Sequence, residues 1–465
     1  METIVHQITE ELSKKILNLI KNNGLSDISR FASEALGCCK ESVGELIVSS
    51  VSQLNEEIRR DKGFRKEQGL VLKEKDRPRS IFTDVGMIDF KRDYFWSKIE
   101  GTYLYPVDAM IGLEPYARIG DEISAKLVAQ AGDVSYEKSA VFVTEGKVSK
   151  QTVKNKLCQI GKLETPIPKE KRVVKELHIF ADEDHVAMQK GNNKMVPLIT
   201  VTEGIHAVGK NRNELKQAVH FTGKITETKQ LWETVAGYIS GAYEEREIER
   251  IYLHGDGAPW IKQGLEEWTC CHFVIDGFHF EKHLKGVTGS FPGQGYSFRI
   301  RQAIIKEDAS KASQLVHEMI RQAEGPGQEK RIRKFRSYLK NNWEGIVRRY
   351  TEGILGSCTE ALVSHVYSER LSRNPMGWSE KGLEKMAELR VYTRNGCKVS
   401  ASAFRRTYEE KNRSLLKEYG QERLRNAISG YKDWSIFEKE QYIPAINTGT
   451  QMLIRSYGKQ RSLVG

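Results

Sequence analysis

The stretch HIFADEDHV, His178–Val186, decides how this chain is read. A short apolar strand runs straight into three acids, Asp182, Glu183 and Asp184. Carboxylates crowded at a strand end repel one another unless a cation lies between them: an Arg, a helix N-terminus or a metal ion. Alternation along a strand sends Glu183 to the face opposite Asp182. Asp182 is therefore the candidate ligand, and Glu183 and Asp184 are its supports or surface residues.

Around this stretch the pattern is α/β. ELHIFADEDHVAM, MVPLITVTEGIHAV and QAVHFTGKI read as three consecutive strands. A helix follows in TKQLWETVAGYISGAYE, a strand in IERIYLHGDGAPWI, and a last strand and helix in CHFVIDGFHFEKHLKG. Three strands and then alternation describe a mixed sheet flanked by helices, in the order of a ribonuclease-H-like fold. In such a sheet the first and fourth strands are neighbours, so Asp182 would meet Asp256 of YLHGDGAPW. Two carboxylates held close are costly alone and suit two divalent cations, which serve phosphoryl transfer. Mg²⁺ prefers such sparse oxygen ligation, and Mn²⁺ can substitute. Taken singly, Asp182 reads as a solvent acid and Asp256, between glycines, as a turn residue. Their joint placement favours the metal. A third carboxylate is expected from a later helix. Glu281 follows the last strand directly, whereas Glu360 lies in GSCTEALVSHVYSERL beyond a long helical stretch. If that stretch is an insertion, Glu360 opens the resumed helix, and it is the preferred third acid. His185, His254, His283, Trp260 and Trp378 read as packing residues.

The 465 residues exceed one core, and the net charge of +11 points to a polyanionic partner, nucleic acid before membrane. Seven cysteines, an odd number without C-x-x-C spacing, indicate free thiols in a reducing cytoplasm. No apolar run reaches the roughly 20 residues of a membrane span. Residues 1 to 75 have helical apolar spacing. Arg79–Trp96 alternates like a β-hairpin turning at Val85-Gly86. Ser135–Leu157 has the form of a helix-turn-helix, with Ser149 as N-cap and Lys150, Gln151, Lys154 and Asn155 presented to phosphates and base edges. Gly161–Val174 reads as a linker. In the basic helix Arg331–Tyr350 the aromatics face a core, while Arg331, Arg333, Lys334 and Arg336 suit DNA phosphates.

ADEDHV, LHGDGAPWI, VIDGFHFEKHL and EALVSHVYSERLSRNPMGWS, with YLYPVDAMIGLEPYARI, VSYEKSAVFV and VSKQTVKNK upstream, together resemble bacterial insertion-sequence transposases of the ISLre type, which are DDE enzymes. The likeness covers nearly the whole chain. It implies a ribonuclease-H-like catalytic domain interrupted by a helical insertion, as in Mutator-like transposases. It implies the triad Asp182, Asp256 and Glu360 on two Mg²⁺ ions, with Asp276 and His279 auxiliary by analogy. The partners implied are double-stranded DNA, as terminal inverted repeats and target, and a second copy in a dimer or larger complex near the nucleoid. The expected map is a helical region over 1–78, hairpin plus helix-turn-helix over 79–160, and a linker over 161–175. A first part of the catalytic core follows over 176–286, the insertion over 287–355, the last core helix over 356–395 and a helical C-terminal region over 396–465. Ala361 stands where the family motif has Gly, a change that a helix tolerates. Two other readings share these features: a structure-selective nuclease, and a DNA-binding regulator without catalysis.

Overall fold

The computed structural model describes residues 2–23, 27–209, 212–354, 356, 358–373, 376–404 and 411–428. The chain forms two compact units, residues 1–120 with 407–465, and residues 121–406.

The first unit begins with α1 (Glu2–Asn23) and α2 (Ile28–Arg60), the latter capped by the Asp27 carboxylate, which accepts from the Arg30 backbone N–H. After α3 (Lys62–Glu67) come β1 (Leu70–Thr83), β2 (Gly86–Ser97) and β3 (Thr102–Leu104), an antiparallel sheet in that order, and then α4 (Pro106–Met110). Val51 and Ile58 of α2 share a core with Leu70, Phe90 and Phe95 of the sheet. The helical pattern expected to residue 75 stops earlier, because Leu70, Val71 and Leu72 pair with Ser97, Trp96 and Phe95. Their cross-strand partners outweigh a local helical preference. The hairpin turns at Asp84-Val85, and Gly86 has φ +108. A helix at Lys411–Ile428 also belongs to this unit, where Leu416 enters the core. The basic tail after residue 428 lies outside the described residues.

In the second unit α5 (Asp121–Ala131), α6 (Tyr136–Thr144) and α7 (Lys150–Gln159) come first. Ser149 Oγ accepts from the Thr152 N–H, and Glu145 ends α6 in the left-handed region. The boundary at residue 120 divides the 79–160 segment that was expected to act as one region. The hairpin shares its core with α2, whereas Val128, Leu157 and Ile160 pack with Met386 and Leu389 of the second unit. Residues 161–175 form neither helix nor strand, save an isolated bridge at Arg172.

The central sheet is built from β4 (Glu176–Val186), β5 (Lys194–Thr202), β8 (Val219–Thr222), β9 (Arg250–Gly255) and β10 (Cys271–Ile275), in the spatial order β10-β9-β4-β5-β8. β4 is antiparallel to β5 and parallel to β9, and β9 is parallel to β10. The expected second strand is split after Thr202. Gly204, at φ +115, lets β6 (Ile205–Gly209) leave the sheet and pair with β7 (Arg212–Leu215) as a small hairpin. Leu177, Ile179 and Ala181 of β4 pack under α8 (Thr228–Ala242) and, past α9 (Pro259–Lys262), α10 (Gly277–Thr288). The helical stretch consists of α11 (Tyr296–Ile305), α12 (Ala309–Arg321), α13 (Pro326–Asn341) and α14 (Trp343–Thr351), whose Ile300, Leu315, Phe335 and Ile346 extend that same core. Arg348 of α14 donates to the Phe273 carbonyl at 2.5 Å and so covers edge strand β10. The chain then returns over the other sheet face as α15 (Thr359–Val363), a π turn at Ser364–Ser368, α16 (Glu369–Leu371) and α17 (Glu380–Arg394). There Val363 and Met386 meet Val186, Val196 and Leu198. No helix among the described residues is long and apolar enough to cross a membrane.

Candidate metal centre

The parallel pairing of β4 with β9 sets Phe180 opposite His254, so Asp182 and Asp256 follow at the same end of neighbouring strands. The turn after Asp256 needs glycine. Gly257 has φ +93, and a Cβ there would stand 2.4 Å from the Asn342 Oδ1 at the end of α13. The Asp256 carboxylate accepts from the Ala258 N–H at 2.8 Å, which closes the turn.

Asp182, His279 and Glu360 each offer one ligand atom, and these atoms lie within 4.8 Å of one another. Each comes from a different element: β4, the first turn of α10 and the first turn of α15. Burial pushes the Asp182 carboxyl up to about 7, and the Glu183 and Glu360 charges add to this against the Glu183 N–H and His279. Asp182 thus carries an anion that its own surroundings disfavour. Asp256 stands outside the 4.8 Å group, but its charge reaches Glu183 and His279.

His279 is held from behind. Asp276 caps α10 through Oδ1, which accepts from the Phe278 N–H, and its Oδ2 takes the His279 Nδ1 at 2.7 Å. Thr359, one residue before Glu360, donates to the same Oδ2 at 2.8 Å. Nε2 is left facing Glu360 Oε1 at 3.6 Å. The Asp276 hydrogen bond, and then the Asp182 and Asp256 charges, hold His279 above its ordinary range against burial. The sequence placed Asp276 and His279 one helical turn apart. No local signal marked Thr359, which is 83 positions from Asp276.

The other acids have different tasks. Glu183 accepts from Trp260 Nε1 at 2.8 Å, and burial raises its pKa. Buried Asp184 accepts from Ser372 and Ser368, tying β4 to the returning helix. Glu281 is fully engaged, with Arg301 donating at 3.0 and 2.5 Å and the Tyr350 hydroxyl at 2.6 Å. The Arg301 hydrogen bonds hold it below the usual carboxylate range. Glu281 fastens α10 to α11 and α14 and does not join the cluster.

Two residues at the end of α13, missed in the sequence, border the site. The Tyr338 hydroxyl is buried without a hydrogen-bond partner, and burial with the Asp256 and Asp276 charges raises its pKa. Asn342 Oδ1, beside Gly257, is likewise buried and unpaired.

Of the expected DNA-contacting residues, Ser149, Lys150, Gln151 and Asn155 are exposed on the start of α7, and Lys154 is half-buried. On α13 Arg331, Arg333 and Lys334 are exposed, while Phe335 is buried. Arg336 is half-buried and reaches the His317 ring at 3.0 Å.

The donor set of two carboxylate oxygens and one imidazole nitrogen, around an acid that burial leaves uncompensated, fits a divalent cation. Fold and site define a mixed α/β protein with a carboxylate-lined candidate metal centre at the end of its central strands. The profile of the uncharacterised protein family UPF0236 matches residues 21–408, and the chain belongs to that family. Three proteins of Caldanaerobacter subterraneus subsp. tengcongensis are similar to it. One, whose name joins eleven designations, is 35% identical over 85% of this chain and 84% of its own. A second is 38% identical over 76% of this chain and 75% of its own. A third, whose name joins four designations, is 37% identical over 75% and 74%.

Proposed function

We propose that this chain is the DDE transposase of a bacterial insertion sequence. Its second unit is a ribonuclease-H-like catalytic core with a helical insertion, and its substrates are the ends of its own element and target DNA. The observation that carries this reading is the convergence of Asp182, Glu360 and His279 beside Asp256, at one end of neighbouring parallel strands. The sheet order, third-second-first-fourth-fifth in chain sequence with the second strand antiparallel, supports the ribonuclease-H-like reading. So does the return of the chain to Glu360 after four helices. A protein name that joins eleven designations in one organism is what copying of a mobile gene would produce.

Asp182, Asp256 and Glu360 would hold two Mg²⁺ ions, or Mn²⁺, with His279 Nε2 as a further donor. When bound, such ions supply Lewis-acid stabilisation of charge on the phosphoryl oxygens. Asp276 would keep the His279 proton on Nδ1, leaving Nε2, which faces Glu360, as the ligand atom. Trp260 fixes the Glu183 carboxylate by its Nε1–H at 2.8 Å. Arg331, Arg333 and Lys334 bind backbone phosphates, and the start of α7 contacts duplex DNA. Assembly of two copies would pair the two element ends.

The test is Mg²⁺-dependent cleavage and joining of DNA carrying the element's ends. The wild type is expected to do both and Asp182→Asn neither. Cleavage without joining, indifferent to end sequence, would favour a structure-selective nuclease. Binding without any cleavage would favour a regulator.

A further inference from the structure

Phe280, Leu284 and Val287 form the face of α10 that is buried in the core of the second unit. Phe278, Lys282 and Lys285, at i, i+4 and i+7, fall on the opposite face of the same helix. All three are exposed, Phe278 to 54%. An exposed apolar side chain standing singly is ordinary on a protein surface. The place of this one is what matters, because α10 starts at the candidate metal centre.

Phe278 lies in the first turn of α10, between the capping Asp276 and His279. Its N–H donates to Asp276 Oδ1 at 3.1 Å, so its backbone is fixed by the residue that also holds the His279 ring. The Phe278 and His279 rings meet edge to face, with centroids 5.5 Å apart and 88° between the planes. A nitrogen of that His279 ring is within 4.8 Å of the Asp182 and Glu360 oxygens. An exposed aromatic ring therefore lies one ring contact from the group that would hold the metal. Glu360 is exposed as well, so the centre is open to solvent.

Lys282 Nζ stands 5.8 Å from the centroid of the Phe278 ring, and Lys285 follows along the same face. The one acid of α10, Glu281, is taken up by Arg301 and Tyr350. A ring followed by two cations matches the parts of a nucleic-acid strand: bases stack on aromatic rings, and phosphates attract ammonium groups. The bases of an intact duplex are covered by their neighbours, so a base can meet Phe278 only after leaving the stack.

We propose that Phe278 stacks on a base turned out of the duplex beside the phosphate cut at this centre, with Lys282 and Lys285 on phosphates of the same strand. The proposal rests on the transposase reading and names how that site opens the DNA end that it cuts. The ring replaces part of the stacking that the base gives up, so the opened end costs less to form at the centre.

The experiment follows Mg²⁺-dependent cleavage by the full chain of a duplex carrying the element's end, either fully paired or with two mismatched pairs at the cut that the wild type makes. Phe278→Ala is expected to cut the paired duplex about ten- to a hundredfold more slowly than the wild type, and the mismatched one at close to the wild-type rate. Phe278→Tyr keeps the ring and is expected to recover the paired rate, whereas Phe278→Leu, apolar but without a ring, is not. Lys282→Gln combined with Lys285→Gln is expected to lower the salt slope of duplex binding by about two. Phe278→Ala that cuts the paired duplex as the wild type does, or that binds Mn²⁺ normally yet is slowed equally on both duplexes, would overturn the proposal and leave the transposase reading standing. If Phe278→Ala loses Mn²⁺ binding, the comparison of Phe278→Leu with Phe278→Tyr on the two duplexes decides. A wild type that cuts neither duplex contradicts the transposase reading itself.

Discussion

Glu281 and Glu360 both lie in the early turns of helices that flank the central strands, yet their surroundings are opposite. Glu281 spends its oxygens on Arg301 and Tyr350, and its pKa is lowered by them. Glu360 is 54% exposed, and its ion-pair partner is a histidine 3.6 Å away that already serves Asp276. One acid is satisfied by its own protein. The other joins a group with Asp182 in which negative charge exceeds what the chain neutralises. Spacing along the sequence allowed either to be the third acid, and charge satisfaction distinguishes them.

The sharpest way to break that contrast is activity. On the proposed reaction, Asp182→Asn and Glu360→Gln are expected to lower cleavage by about 10³-fold or more, the scale of losing a metal-held charge stabilisation. Glu281→Gln is expected to retain cleavage and instead lose about 1–3 kcal/mol of stability from its charged hydrogen bonds, seen as a lower urea midpoint.

Stability against pH sharpens the Asp182 side. Its folded pKa, near 7, lies above the ordinary Asp value, so between roughly pH 4 and 7 the folded state binds the extra proton. Stability from this group is therefore full at low pH and falls as pH rises through that window. Asp182→Asn is expected to match the wild type in melting temperature near pH 4 and to exceed it by several degrees at pH 8. Mg²⁺ should close that gap by stabilising the wild type only; a gap that does not vary with pH would contradict the assignment.

The positioning shell should respond more weakly. Thr359→Val removes a donor from Asp276 and is expected to cost about 1–2 kcal/mol. It should lower cleavage less than Glu360→Gln does. Tyr338→Phe is the smallest change. Its hydroxyl is buried and unpaired, so removal is expected to leave stability unchanged or raise it by up to about 1 kcal/mol, checked by urea denaturation.

The strand order around HIFADEDHV and the placing of Asp182 and Asp256 were legible, because apolar runs broken by Gly and Asp signal strands and turns locally. The Ser149 cap and the buried Phe335 of α13 were legible for similar reasons. The early start of β1 was not, because Lys73 to Arg79 carries no apolar period and becomes strand only through its partner β2. Nor was the division at residue 120, which depends on which core each segment enters. The Thr359–Asp276 bond and the approach of Asn342 to Gly257 join residues 83 and 85 positions apart, and neither has a local pattern. His279 was named by analogy, and the geometry puts a ring nitrogen within 4.8 Å of the Asp182 and Glu360 oxygens.

The most direct measurement is calorimetric titration of Mn²⁺ into the wild type, Asp182→Asn, Glu360→Gln and Glu281→Gln at pH 8. The account predicts binding to the wild type and Glu281→Gln and its loss in the other two. Equal binding by all four proteins, or loss in Glu281→Gln alone, would contradict it.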